Sequence, residues 1–544
     1  MQGLMMQNGL MISDLIEHAG KVHKDRTIFS RETDGGEFTY SWGDCLKRVR
    51  QLANALKVAG IKKGDRVATI AWNNYRHLEL YYAVSSIGAI IHTINPRLDP
   101  TQIVWMIGHA GDKWVFFDTS FNSPQAPLID GVSSLCPNVE KWVAMCSPDG
   151  LPSYYKTDAC SYEDIIETGD PNIEWERFDE NLGCALCYTS GTTGNPKGVL
   201  YSHRSQILHA MAGNFPDAIG TSSQDTVLAV VPMFHVNAWG LVYSTAMVGA
   251  KLVLPGPNLD GASLTDMINQ EGVTIMAGVP TIWLGIYNHL KATNGSLPTV
   301  RKSLVGGSAL PESLLRAYEL DLGIKMQQGW GMTETSPLGV TYSPNPLDKN
   351  TDFESQMKHK LMAGRRIFGV DMRIVDDEDN ILPENGDATG HLQVRGPWIS
   401  SAYFGGDGED SFTDDGWFRT GDVAALHPEG YMEITDRSKD VIKSGGEWVS
   451  SIEVENAAMD HPDVAMAACI GVKHTKWQER PILIVQAVPE TTPNIEEIKA
   501  AILKKCAKWW LPDAILFTEA LPIGATGKIL KRKLKEDYKD FTLE

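Results

Sequence analysis

The sequence predicts an α/β protein: a large N-terminal domain of doubly wound α/β sheets with a small β-subdomain, then a smaller, mobile α+β C-terminal domain. Three observations predict it. The chain has 544 residues, too many for a single hydrophobic core. From about residue 65, short β-branched runs alternate with longer amphipathic stretches, the pattern of parallel sheets covered by helices. Past residue 364 this rhythm gives way to short strands separated by turn clusters.

The elements follow in order. Arg66–Ala71 is expected as a strand and Tyr75–Gly88 as a helix. Leu182–Tyr188 is an apolar run expected as a buried strand. Thr226–Val231, Lys251–Leu254, Val273–Ala277, Ser303–Val305 and Ile324–Gln328 are further strands at βα intervals. In such sheets ligands sit at the carboxyl ends of strands. Met372–Val375, His391–Arg395 and Tyr431–Thr435, with the turn cluster Glu384-Asn385-Gly386-Asp387, are expected to form an antiparallel β-subdomain. The charged segment Asp436-Arg437-Ser438-Lys439-Asp440 marks the main boundary, giving domains 1–435 and 436–544. The second domain is expected to end in a basic tail, Lys528 to Lys533. There is no internal repeat or low-complexity tract.

Composition narrows the class. With 43% apolar and 22% charged residues the chain has the make-up of an ordinary globular protein. A net charge of −19 argues against nucleic-acid binding, which needs a basic surface. Eight irregularly spaced cysteines form no disulfide framework and suit a reducing, cytoplasmic location. Cys184 and Cys187 lie three apart on a strand and face opposite sides, so they are expected to be buried and structural. Met1 to Asp14 has no signal-peptide pattern, and no apolar run is long enough for stable membrane insertion.

The first chemical signal follows the Leu182–Tyr188 run. Thr189-Ser190-Gly191-Thr192-Thr193-Gly194-Asn195-Pro196-Lys197-Gly198 packs four hydroxyls, three glycines and a lysine behind a buried strand. Glycines let backbone N–H groups crowd round an anion, and hydroxyls and lysine add donors and charge. The Walker spacing fails, because Pro196 and Val199 stand where its lysine-preceding glycine should be. Gln328-Gly329-Trp330-Gly331-Met332-Thr333-Glu334 imitates a dinucleotide glycine motif, but Glu334 occupies the third glycine position. Gly306-Gly307-Ser308-Ala309-Leu310 falls one glycine short of a hydrolase elbow.

Together these segments resemble the adenylate-forming superfamily, which includes acyl-CoA synthetases and adenylation domains. The resemblance runs in order from about Thr189 to the C-terminus and implies ATP, Mg²⁺ and CoA as co-substrates and cofactor. It assigns the phosphates to Thr189, Ser190, Gly191, Thr192, Thr193, Gly194 and Lys197. The nucleotide falls to Gly307, Ser308, Ala309, Gln328, Gly329 and Trp330, with Trp330 stacking on adenine where the family usually has tyrosine. Thr333 is implied to contact the α-phosphate, Glu334 to bind Mg²⁺, Asp422 to take the ribose hydroxyls and Arg437 to contact the nucleotide. Asp436 matches the hinge. Lys443, Gly445, Gly446 and Trp448 match the loop of the thiol step. Lys528 matches the catalytic lysine and is counted with Thr333, Glu334 and His235 as catalytic.

The resemblance implies an AMP-forming acid–CoA ligase that makes an acyl-AMP, releases pyrophosphate and passes the acyl group to CoA. The alternative is an adenylation enzyme that loads a carrier protein. His235 stands where amino-acid-activating relatives place an Asp, which disfavours an amino-acid substrate. His235, Trp239, Gly306 and Gly331 are expected to line the acyl pocket, with Trp283 as a possible neighbour. The segment Phe234 to Trp239 resembles bacterial medium- and long-chain fatty-acyl-CoA synthetases, and the N-terminus resembles 3-methylmercaptopropionyl-CoA ligases. The expected acid is a short- or medium-chain fatty acid or 3-methylmercaptopropionate, and the expected assembly a homodimer.

Overall fold

The computed structural model describes every residue except 2, 190–194, 348, 350–351, 438, 445–446, 525–528, 542 and 544, and the side chains of 447–448. Statements about the fold concern the described residues.

Short β-branched runs form parallel strands because both faces are covered by helices, so the strands are apolar throughout. One sheet of seven strands holds Arg66–Ile70 at its centre, between Ile90–Thr93 and Asp112–Phe117. Gly183–Tyr188 pairs in parallel with Ile90–Thr93 and antiparallel with the edge strand Gly198–Ser202. The Thr189–Lys197 segment therefore leaves the carboxyl end of a buried strand and returns at the sheet edge. Cys184 and Cys187 are both buried and unbridged, as their spacing predicts.

A second sheet of thirteen strands carries the site. Its parallel core runs from Thr27–Arg31 through Lys251–Leu254, Thr226–Ala229, Ile275–Gly278 and Lys302–Val305 to Lys325–Trp330. The expected antiparallel β-subdomain is present, and it is continuous with this sheet. Val340–Thr341 and Gly364–Arg366 join it edge to edge to the parallel core, so Tyr431–Arg437, Phe418–Leu426, Thr389–Arg395 and Asp371–Val375 continue the same sheet. Turn chemistry predicts strand direction, but backbone pairing across a turn is decided by tertiary register.

The C-terminal domain has a five-stranded sheet. Gln478–Ala487 lies at its centre, antiparallel to Val464–His474 and parallel to Ala514–Thr518. It buries its own apolar clusters, one around Ile442, Leu483 and Ile502 and one around Ile470, Ile484 and Leu534.

Two charged residues at the domain junction are buried. Asp436 is 0% exposed, and its Oδ2 accepts from the Ser451 N–H and hydroxyl, both at 2.6 Å. Within the basic run, Lys531 is the second. Lys531 opens the helix Lys531–Asp537, and its Nζ donates to Ser451 Oγ at 2.5 Å and to Glu455 at 2.7 Å. Burial opposes its charge, yet Glu455 and Asp436 carry its pKa above the ordinary lysine value. A basic run looks solvated in sequence, but a buried carboxylate pair can claim one of its members.

Glu453 beside this cluster has the opposite problem. Burial, then repulsion by Glu433 and Asp436, pushes its pKa up to about 7. A raised carboxyl pKa favours the folded state at low pH, and that advantage is lost as pH rises through about 7. Glu453→Gln is therefore expected to raise stability at pH 8 by about 2 kcal/mol more than at pH 5, read from urea denaturation at the two pH values.

Candidate active site

The strand Lys325–Trp330 changes partners along its length. From Lys325 to Gln328 it pairs in parallel with Lys302–Val305. At Gly329 and Trp330 it pairs antiparallel with Thr341 and Val340. The parallel neighbour has ended at Val305 and turned away through Gly306 and Gly307, where Gly307 adopts φ +82°. A cleft opens at that switch point. Gln328 spans it, its Oε1 accepting from the Leu310 N–H at 3.2 Å.

Trp330 is seated by glycines. A Cβ on Gly339 would stand 2.5 Å from the indole Cε3, and the Gly339 N–H donates to the Trp330 carbonyl at 3.1 Å. Gly331 packs so closely that its Cβ would fall 1.4 Å from the Pro337 carbonyl oxygen. The indole Nε1–H donates to Asp422 Oδ2 at 2.8 Å. Asp422, 2% exposed, receives Arg437 Nε on Oδ1 at 2.7 Å from the neighbouring strand.

Thr333 and Glu334 follow on a short 3-10 turn. The Thr333 carbonyl accepts from the Tyr201 hydroxyl at 2.7 Å. Glu334 is 4% exposed, its backbone carbonyl accepting from the Ser400 N–H and its Oε1 from the Tyr403 hydroxyl at 2.5 Å. Burial raises its pKa, and Tyr403 offsets this only in part. Among the described residues no cation pairs with Glu334. A buried carboxylate that faces a cleft with a hydroxyl partner, and that feels the Arg437 charge without pairing with it, fits a hard metal ion sharing phosphate oxygens.

Lys197 Nζ lies 4.7 Å from the centre of the Tyr403 ring, a cation–π contact that links the phosphate-loop lysine to the Glu334 support. The loop base is closed by Thr189: its N–H donates to the Lys197 carbonyl at 2.9 Å, and its Oγ1 accepts from the Lys197 N–H at 3.1 Å. Ser190, Gly191, Thr192, Thr193 and Gly194 lie outside the described residues. Tyr403 escaped the sequence reading because nothing in the segment around it marks its hydroxyl as the partner of a residue 69 positions away.

The segment expected to line an acyl pocket is built on strained backbone. Val236, Asn237, Ala238 and Trp239 all have φ between 47° and 56°, a left-handed turn without glycine, closed by Gly240 at φ 75°. Such residues cost about 1–2 kcal/mol each. Asn237 holds the turn. Its Nδ2 donates to Gln206 at 3.1 Å, and its Oδ1 accepts from the Tyr81 hydroxyl at 3.2 Å. The turn sets the Trp239 ring against Gly306, whose Cβ would stand 3.0 Å from the indole Cη2. Trp283 does not join this pocket. It is fully buried in the core around Ile286 and Leu290, its ring packed against Gly278. On the helix Pro280–Thr293 it falls on the core face, while Thr281 and Leu284 face the cavity.

One continuous cavity of about 2350 Å³ joins these parts. Every described residue that the sequence assigns to the nucleotide or acyl group lines it, as do Asp436 and the flanks of the C-terminal lysine loop, Ile523, Gly524 and Ile529. Ile523 and Ile529 pair as an antiparallel bridge; Lys528 lies outside the described residues. Lys443 is not brought into the cavity. It is exposed on the strand Ile442–Ser444, with its backbone N–H donated to Glu479 at 3.1 Å. Gly445 and Gly446, and the Trp448 side chain, lie outside the description. Gly331→Ala is expected to lower stability by about 1–3 kcal/mol through this overpacking, measured by chemical denaturation.

Residues 16–404 match the AMP-binding enzyme family, and residues 453–528 match the AMP-binding enzyme C-terminal domain. The chain is 47% identical over 541 residues to a 3-methylmercaptopropionyl-CoA ligase of Ruegeria lacuscaerulensis, with 99% of each chain covered. It is 46% identical over 543 residues to a medium-chain-fatty-acid–CoA ligase of Ectopseudomonas oleovorans, covering 100% of this chain and 98% of that one. Among solved structures, an anthranilate CoA ligase in complex with anthranoyl-AMP superposes with a TM-score of 0.86 at 24% identity, over 98% of both chains, and shows the same fold. With a switch-point cleft lined by the expected residues, a match across most of its length and full-length relatives near half identity, the chain belongs to the AMP-binding enzyme family.

Proposed function

We propose that this AMP-forming acid–CoA ligase activates a short- or medium-chain apolar or thioether acid. The observation that carries the reading is Trp239, held against Gly306 by the strained turn so that its ring limits the acyl end of the cavity. His235, at the mouth of that turn, supplies no carboxylate to pair an amino-acid ammonium. The Ruegeria and Ectopseudomonas relatives, named for a thioether acid and for medium-chain fatty acids, support the same size range.

The chemistry is an electrostatic problem. A carboxylate must approach the α-phosphorus of an anionic triphosphate, and like charges about 4 Å apart repel by about 1 kcal/mol in water and several times more in a dry site. Trp330 offers a ring face to adenine. Asp422 accepts the ribose hydroxyls, and Arg437 adds positive charge beside it. Thr333 and the Thr189–Lys197 segment bring donors to the phosphate oxygens, and Lys528 follows the developing charge. Glu334 would hold Mg²⁺, which supplies charge neutralisation on the phosphate oxygens when bound.

The second half-reaction needs a thiol path instead of a triphosphate site. The described arrangement, with Ile523 and Ile529 on the cavity and Lys443 away from it, suits adenylate formation. Rotation of the 436–544 domain about Asp436 would exchange the Lys528 loop for the Lys443–Trp448 loop.

Three experiments test this. ATP–pyrophosphate exchange over propionate, 3-methylmercaptopropionate, octanoate and palmitate is expected to peak below palmitate, with Trp239→Ala shifting the optimum to longer acids. AMP release that depends on free CoA would separate the ligase from a carrier-loading enzyme. Lys528→Ala is expected to slow adenylation about 10²–10³-fold while sparing thioester formation from supplied acyl-AMP. Equal loss in both half-reactions would count against the domain exchange.

A further inference from the structure

Among the described residues, Asp422 has two side-chain donors. The Trp330 indole N–H meets Oδ2 at 2.8 Å and Arg437 Nε meets Oδ1 at 2.7 Å. A carboxylate has two oxygens and about four acceptor positions. One donor on each oxygen leaves one position free on each. That is the acceptor pattern a vicinal diol needs.

The two donors differ in kind. Arg437 follows Asp436 directly and its side chain is 48% exposed, so it belongs to the domain junction. Trp330 sits on the floor of the large sheet, its ring braced by Gly339. The terminal carboxylate torsion is broad and roughly two-fold, so a single donor leaves the plane free to turn. The indole matters here because its donor lies on the edge of the five-membered ring. A phenol would carry its donor at the far tip, away from where Asp422 stands. The same ring can present its face to the base and its edge to the carboxylate beside the sugar.

We propose that Trp330 is a positioning residue for Asp422, and that its N–H, beyond any stacking by its ring, gives the site its selectivity for a nucleotide with a ribose diol. The inference rests on the reading that Asp422 receives the ribose hydroxyls.

The test uses the full chain and isothermal titration with AMP and with 2′,3′-dideoxyAMP, which lacks both hydroxyls. Trp330→Phe keeps an aromatic face and removes the donor. Its affinity for AMP is expected to fall about tenfold, the usual scale for a lost hydrogen bond to a buried charge, while that for dideoxyAMP stays within about twofold. Gly339→Ala, whose methyl would displace the ring from its other side, should narrow the AMP preference in the same way. An equal loss for both nucleotides, or no loss, would overturn the proposal, since stacking or packing alone would then account for Trp330. Asp422→Ala separates the two levels. If it leaves the AMP preference intact, the assignment of the diol to Asp422 fails. If it removes the preference while Trp330→Phe does not, only the role of Trp330 fails.

Discussion

The change of partner along Lys325–Trp330 is the constraint on which the rest of the site depends. A strand that pairs in parallel on one half and antiparallel on the other must run past the end of its first neighbour. The gap this leaves at Gly306 and Gly307 is a cleft at the carboxyl edge of the sheet, where α/β proteins bind ligands. The antiparallel partners then carry Asp422 and Arg437 to the far wall of the same cleft. The residues assigned to nucleotide and acyl group meet in one cavity because both sets are built outward from one strand.

Electrostatics inside the cleft follow one pattern. The carboxylates it uses are buried and given neutral or shared donors. Glu334 has Tyr403, and Asp422 has Trp330 in addition to Arg437. A carboxylate fully neutralised by a protein cation has little to offer a metal or a diol. One that is desolvated but oriented keeps its capacity for a ligand and pays no reorganisation when the ligand arrives. At the domain junction the pattern reverses: Asp436 and Glu455 are close to a buried lysine, Lys531, and serve the architecture of the junction.

The strained turn at Val236–Trp239 shows how one wall of the cavity is shaped. Four left-handed residues without glycine persist only where their surroundings over-determine them. Asn237, Tyr81 and Gln206 provide that support, and the result places an indole against a glycine in the wall of the cavity. No local propensity would predict this conformation, since β-branched valine resists positive φ.

By itself the sequence determined the α/β class, the order of the strands' apolar runs and, through its glycine- and hydroxyl-rich motifs, the family to which the chain belongs. These are legible because strand burial writes itself as apolar runs, and anion binding as glycine and hydroxyl density. The parts it missed are those made by pairing distant segments. Tyr403 beneath Lys197, the burial of Lys531 and the placement of Trp283 in the core depend on which faces meet after folding. The antiparallel strands were legible as strands, but only tertiary register joined them to the parallel sheet. Trp330 shows both levels in one residue. Its aromatic ring was evident from the segment Gln328 to Glu334, whereas its bond to Asp422, 92 residues away, exists because two strands of one sheet bring an indole edge to a carboxylate.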